Sequence, residues 1–215
     1  MADDNAANSK WRPATQLVRG GTNRSNFAET NEAIFMTSGY IYDTAEQAQR
    51  AFQGEEDRFI YSRFSNPTVG MFEDRMALLE GAESCRATAT GMAAVYASLA
   101  ASVSAGDRLV ASKALFGSCD YICRDILPKF GVESIMVDGT NLAEWEAALS
   151  EPTAAVFMET PSNPQMDIID LPAVAEMAHN VGARVVVDNV FATPILQKPL
   201  ELGADVVVYS GTKHI

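Results

Sequence analysis

Basic side chains are scarce in this sequence: 16 Lys and Arg stand against 28 Asp and Glu, a formal net charge of -12. They are scattered and form no run that could track a phosphate backbone, which excludes nucleic acid as a partner. Histidine is rarer still, with only His179 and His214, so no metal site is expected. The three cysteines, Cys85, Cys119 and Cys123, form neither an even disulfide set nor a CxxC pair. Cys119 and Cys123 lie one helical turn apart, a spacing that suits plain buried residues. This cysteine usage points to a cytoplasmic protein. No apolar stretch reaches the ~20 residues of a membrane helix, so no membrane association is expected. The start, MADDNAANSK, is polar and acidic and is not a secretory signal.

What is present suits a folded α/β protein. The chain has 215 residues, 47% hydrophobic and 20% charged, enough for one large domain. Residues 1–60 show little periodicity and read as an extended N-terminal arm for oligomer contacts. Phe27, Ile34, Phe35, Tyr40 and Tyr42 are too many large apolar groups for a solvated tail, so the arm is expected to pack, on a second subunit among other possibilities. The remainder, 61–215, reads as a large domain. A helix is predicted from about Pro67 to Leu79, with Pro67 in the first turn and Gly81 as the stop; Met71, Phe72, Met76 and Leu79 recur along it at helical spacing.

From Cys85 onward strands and helices alternate. A first strand is expected to end at Thr88, and further strands fall at 107–112, 132–138, 153–160, 183–189 and 204–210. Helices fall between them at 91–104, 118–129, 142–150 and 170–181. Continuous Val-rich strands are covered on both faces, so the expected architecture is a mostly parallel sheet with helices on both faces. The chain stops at Ile215, soon after the last strand, and is expected to be a truncated piece of a longer protein.

In such sheets ligands bind beyond the carboxyl ends of the strands. Three features fall there. Thr90-Gly91-Met92 opens a helix with small residues, either as a close-packed turn or as backbone N–H groups for a phosphate. Asp188, after a run of Val, is either a cap or a partner for a protonated heterocyclic nitrogen. Ser210-Gly211-Thr212-Lys213 offers two hydroxyls and an amine, as a surface loop or as a phosphate grip with a nucleophile. Pyridoxal 5'-phosphate (PLP) carries the phosphate, ring nitrogen and aldehyde that these groups match. GxGxxG and P-loop patterns are missing, which disfavours a dinucleotide-binding oxidoreductase.

The sequence resembles the Cys/Met-metabolism family of PLP enzymes from about residue 15 onward. The resemblance rests on Tyr61-Ser-Arg63-Phe-Ser-Asn66-Pro67-Thr68, Thr90-Gly91-Met92-Ala93-Ala94, Glu159-Thr-Pro-Ser-Asn163-Pro164, Asp188-Asn189 and Ser210-Gly-Thr212-Lys213-His214. It implies a fold-type I PLP domain in which Lys213 holds the cofactor as a Schiff base and later shuttles protons. It also implies that Asp188 pairs with the ring nitrogen, and that Gly91, Met92, Ser210 and Thr212 bind the phosphate. Tyr61 and Arg63 are implied to reach the phosphate of a neighbouring subunit, giving a homo-oligomer, expected to be a tetramer, with shared active sites. Asn163 is implied to contact the cofactor's ring oxygen and lie near the substrate carboxylate. The family's C-terminal domain, which supplies a carboxylate-binding arginine, is not in this sequence.

One departure is informative. Where most of the family stacks a Tyr on the cofactor ring, this sequence has Leu115-Phe116-Gly117-Ser118-Cys119. Phe116 can stack, but it has no hydroxyl for acid–base work. Phe-Gly-Ser here, with Ser38-Gly39-Tyr40 and the stretch from Asp188 to Pro194, resembles the O-succinylhomoserine sulfhydrylase branch. That branch implies γ-replacement of an O-acylhomoserine by sulfide to give homocysteine, a step of methionine biosynthesis. Within the family the alternatives are cystathionine γ-synthase and γ-lyase; outside it, a non-catalytic interaction protein on the same fold.

Overall fold

The computed structural model describes residues 10–215; most of the polar N-terminal stretch read above for a targeting signal lies outside the described residues. By internal contacts the chain divides into two units, Met1–Ala87 and Thr88–Ile215. None of the helices among the described residues is long and apolar enough to cross a membrane.

Among the described residues, two short helices interrupt the N-terminal arm of the first unit: α1 (Pro13–Arg19) and α2 (Ala45–Phe52). Local signals start them, Pro13 in the first turn of α1 and the Thr44 hydroxyl accepting the Gln47 N–H at 3.1 Å ahead of α2. The helix α3 (Pro67–Glu80) opens on Asn66, whose side chain accepts from the Thr68 N–H at 2.9 Å, and ends on Gly81 at φ 74°. Met71, Met76 and Leu79 are buried along α3, whereas Phe72 is exposed. Arg75 ties α3 back to the arm, donating to the Gly20 carbonyl and pairing with Glu32. Gly21 makes this contact possible. It sits at φ 70°, and a Cβ there would meet the Arg75 nitrogen and the Met71 carbonyl oxygen at 2.8 Å.

The strand expected to end at Thr88 does not form. Residues 84–88 have no ladder partner, and the Glu73 carboxylate takes the Ala87 N–H at 2.8 Å instead.

The second unit is the α/β layer structure the Val-rich runs imply. Helix α4 (Gly91–Ala100) leads into β1 (Arg108–Ser112), followed by α5 (Gly117–Tyr121) and β2 (Glu133–Val137). Then come α6 (Leu142–Ala148), β3 (Ala155–Glu159), α7 (Leu171–Asn180), β4 (Arg184–Asp188), α8 (Thr193–Leu196) and β5 (Val206–Val208). The five strands are all parallel, in the order β2-β1-β3-β4-β5. The helix expected over 118–129 is broken after one turn into a π segment, Ile122–Ile126, and a 3₁₀ turn, Leu127–Phe130. The Leu127 N–H reaches back to the Ile122 carbonyl, and Pro128 has no N–H with which to resume the α pattern.

Strand alternation divides the core into two layers. Val110, Val156, Met158, Val185 and Val187 face α6 and α7, packing with Trp145, Leu171 and Val174. Leu109, Ala111, Ala155, Phe157, Val186 and Val208 face α4 and α5, packing with Leu99, Cys119, Ile122 and Cys123. The two cysteines are buried and unpaired. Continuing the same alternation places Glu159 and Asp188, the last residues of β3 and β4, on the α4–α5 face.

Candidate active site

The strand order reverses direction between β1 and β3, the position where open α/β sheets leave a crevice at the carboxyl ends of their strands. Most of the second-unit residues expected from the sequence fall at this end of the sheet. Asp188 closes β4 and is buried. Its Oδ1 accepts the Val190 N–H at 3.0 Å, yet burial pushes its carboxyl up to about 6. No basic side chain pairs with it among the described residues, so it can receive a cation.

Gly91 opens α4 next to Ser210. A Cβ on Gly91 would stand 2.7 Å from the Ser210 Cβ, so only glycine permits this approach. The Thr90 hydroxyl takes the Ala93 N–H at 3.0 Å and the Thr90 carbonyl takes the Ala94 N–H at 3.1 Å. The amides of Gly91 and Met92 therefore remain at the open end of the helix. Ser210 and Thr212 face each other with hydroxyls 2.9 Å apart. Two amides, two hydroxyls and a helix N-terminus can hold a phosphate here. Gly91→Ala is expected to lower PLP affinity by about tenfold or more, because Ser210 must move out of the phosphate cradle. Titration of the visible cofactor band checks this, and an unchanged affinity would place the phosphate elsewhere.

Lys213 follows in the same loop, exposed, with its backbone N–H bonded to the Ser210 carbonyl at 3.1 Å and no ion pair to its ammonium among the described residues. Phe116, just before α5, leaves its ring substantially exposed, and its carbonyl accepts from Cys119 and Asp120. Asn163 is half-buried in the loop after β3, between the cis bonds Thr160–Pro161 and Asn163–Pro164. Tyr61 and Arg63 belong to the first unit. Tyr61 bridges Gly39, and the Arg63 guanidinium lies 5.3 Å from the centroids of the Tyr61 and Phe64 rings.

Several residues at this end of the sheet went unassigned in the sequence reading. Glu159 is buried, pairs in register with Asp188, and accepts the Phe116 N–H on Oε2 at 2.5 Å. Its sequence signal was the same as that of Asp188, a carboxylate closing an apolar strand. Asn189 and Gln197 had no such signal. Asn189 is fully buried, with its amide bonded to the Gln197 carbonyl at 2.9 Å and the Tyr209 hydroxyl at 2.7 Å. Gln197 returns a bond to Asn189 Oδ1 at 2.8 Å and donates to the Thr160 carbonyl at 2.9 Å. This network ties the loops after β3, β4 and β5 beneath the crevice. Cys119, at the same end, is raised by burial and then by Asp188 and Glu159, which keeps it a neutral thiol.

The chain was compared with known proteins. It matches the family model for Cys/Met metabolism PLP-dependent enzymes over residues 14–215. It is 59% identical over 202 residues to an O-succinylhomoserine sulfhydrylase of Mycobacterium tuberculosis, covering 94% of this chain and 50% of that protein. It is 45% identical over 201 residues to the corresponding Pseudomonas aeruginosa protein, again covering 94% of this chain and 50% of the relative. A crystal structure of a putative O-acetylhomoserine (thiol)-lyase from Campylobacter jejuni, carrying a pyridoxyl-lysine phosphate residue, superposes with a TM-score of 0.88 at 31% identity. That match covers 94% of this chain and 50% of the other. The chain therefore spans about half the length of the curated relatives it matches. On the extent of the family match and these identities, the chain belongs to the Cys/Met-metabolism family of PLP-dependent enzymes.

Proposed function

We propose that this chain is the cofactor-binding part of an enzyme that makes homocysteine from O-succinylhomoserine and sulfide, a step of methionine biosynthesis. The observation that carries the reading is the buried, cation-free Asp188 at the same sheet edge as the Gly91–Ser210 approach. The identity of the substrate is supported by the 59% identity to a sulfhydrylase.

PLP, when bound, supplies an electron sink for substrate carbon–hydrogen bonds. The residues of the chain do the rest. The amides of Gly91 and Met92 and the hydroxyls of Ser210 and Thr212 hold the phosphate. The ionised Asp188 carboxylate keeps the ring nitrogen protonated, and Phe116 supplies a face for the ring. Lys213 would hold the cofactor through Nζ, and once freed that same nitrogen would carry protons from Cα and Cβ of the substrate. Asn163 contacts the ring oxygen and orients the substrate carboxylate. Across the reaction the Cγ–O bond breaks, a Cγ–S bond forms, succinate leaves with the oxygen, and the protons return to Cα and Cβ.

Tyr61 and Arg63 complete the phosphate site of a neighbouring subunit in a homotetramer. Support comes from the first unit, where Phe27, Met36 and Ile41 are 92%, 94% and 88% exposed, large apolar side chains that a neighbouring subunit would cover. The unpaired cysteines fit a cytoplasmic location.

The test is to incubate the PLP-saturated protein with O-succinylhomoserine and sulfide. Sulfide-dependent homocysteine and an equal yield of succinate are expected. Cystathionine from cysteine, with no product from sulfide, would replace this reading by a cystathionine γ-synthase. Breakdown without any sulfur nucleophile would make the protein a γ-lyase.

A further inference from the structure

Two carboxyls end adjacent strands in this crevice, and the proposed reaction uses only Asp188. Glu159 is its register partner on β3, 1% exposed, at the point where the strand order reverses. Its two oxygens differ. Oε2 accepts the Phe116 N–H at 2.5 Å, across the gap between the end of β3 and the loop after β1. Oε1 is equally buried and has no well-formed hydrogen bond, although the Asn163 backbone N–H lies close enough to favour the charged carboxyl. Among the described residues, the bond to the Phe116 N–H is therefore the one well-formed hydrogen bond of this buried carboxyl.

That bond decides where Phe116 sits. Its carbonyl starts α5 by accepting from Cys119 and Asp120 at 2.8 and 3.0 Å, while its N–H is held by Glu159. The two ends of one residue are thus fixed to two different elements, which sets the direction in which its Cα–Cβ bond leaves the main chain. We propose that Glu159 is a positioning residue of the site: by clamping the Phe116 main chain to the end of β3, it sets where the Phe116 side chain is presented to the cofactor. The inference rests on the cofactor reading given above.

The charged and titratable groups facing Glu159 are Asp188 from β4 and the Cys119 thiol from α5, and Lys113, after β1, is engaged by Glu144 at 3.3 Å. Burial, and then the Asp188 charge, pushes the Glu159 carboxyl up to about 7. The clamp therefore changes from a neutral to a charged acceptor near neutral pH.

The experiment compares wild type, Glu159→Gln and Glu159→Ala in two readouts. In the chain without cofactor, NMR follows exchange and pH dependence of the Phe116 amide. In the chain with added PLP, circular dichroism of the visible band reports ring orientation, and its titration gives affinity. Glu159→Gln keeps an acceptor, so it should keep Phe116 protected and the dichroism intact while abolishing the titration of the Phe116 amide near pH 7. Glu159→Ala should speed Phe116 exchange, weaken PLP binding about tenfold and alter the band's dichroism. A Phe116 amide equally protected in Glu159→Ala, or one that titrates unchanged in Glu159→Gln, would overturn the proposal. If the alanine variant does not fold, the wild-type and glutamine comparison decides. Absence of any visible band in wild type with PLP would sink the cofactor reading instead, and the amide data would still decide the clamp.

Discussion

Lys213→Ala is expected to abolish the borohydride-sensitive visible band that forms when PLP is added, leaving only weak, non-covalent binding. The lysines of the second unit make this specific. Lys129 lies just ahead of β2, at the opposite end of the sheet. Lys198 and Lys113 are engaged by Glu201 and Glu144. Lys213 alone among these follows the carboxyl end of a strand without an acidic partner, beside the hydroxyls of Ser210 and Thr212. Its amine can condense with the cofactor aldehyde, losing water, and borohydride then reduces the carbon–nitrogen bond irreversibly. Mass spectrometry of the reduced protein should find the label on Lys213. Lys213→Arg separates charge from bonding: it keeps a cation in place but should also lose the band. A band that survives in Lys213→Ala, with the label on another lysine, would remove Lys213 from its role.

The parts legible in the sequence are those in which local chemistry and tertiary structure agree. Val-rich runs became the parallel strands, because only a sheet covered on both faces hides them without polar cost. Pro67 and Gly81 delimited α3 because helix start and stop signals are local. The misread places are those decided by partners distant in sequence. Residues 84–88 resembled a strand, but Glu73 took the amide that a ladder would have used. The helix after Phe116 was read as continuous, and the π segment leading to Pro128 broke it. In the site, Asp188 was visible because a carboxylate after buried Val stands out. Glu159 carries the same signature, but only the register of β3 against β4 brings the two together. The amide network of Asn189, Gln197 and Tyr209 had no local signature at all, because hydrogen bonds between loops leave no periodicity.

Asp188→Asn is expected to stabilise the cofactor-free protein at neutral pH while weakening its hold on PLP. Burial raises the Asp188 carboxyl from 3.8 to about 6 in the folded chain, so the folded state binds this proton more tightly than the unfolded one. By linkage the associated stability is fully present below about pH 3.8 and is lost as pH rises through about 6. At pH 7 the wild type therefore carries the cost of an ionised, unpaired, buried carboxylate, on the order of 3 kcal/mol. Asparagine keeps an oxygen for the Val190 N–H and removes the charge. Urea unfolding of the two proteins should show the variant more stable by about 3 kcal/mol at pH 7, with the difference shrinking toward pH 4. Added PLP should reverse the order. The wild type gains a charge-assisted bond to the protonated ring nitrogen, which the variant cannot match, so its affinity should exceed the variant's by about 10–100-fold. Equal stabilities across the pH range would mean that the Asp188 charge is not buried at cost. Equal PLP affinities would mean that the ring nitrogen does not face it. The expected crossing, a residue that weakens the empty fold and strengthens the loaded one, is how a site kept for a cationic partner differs from an ordinary buried ion.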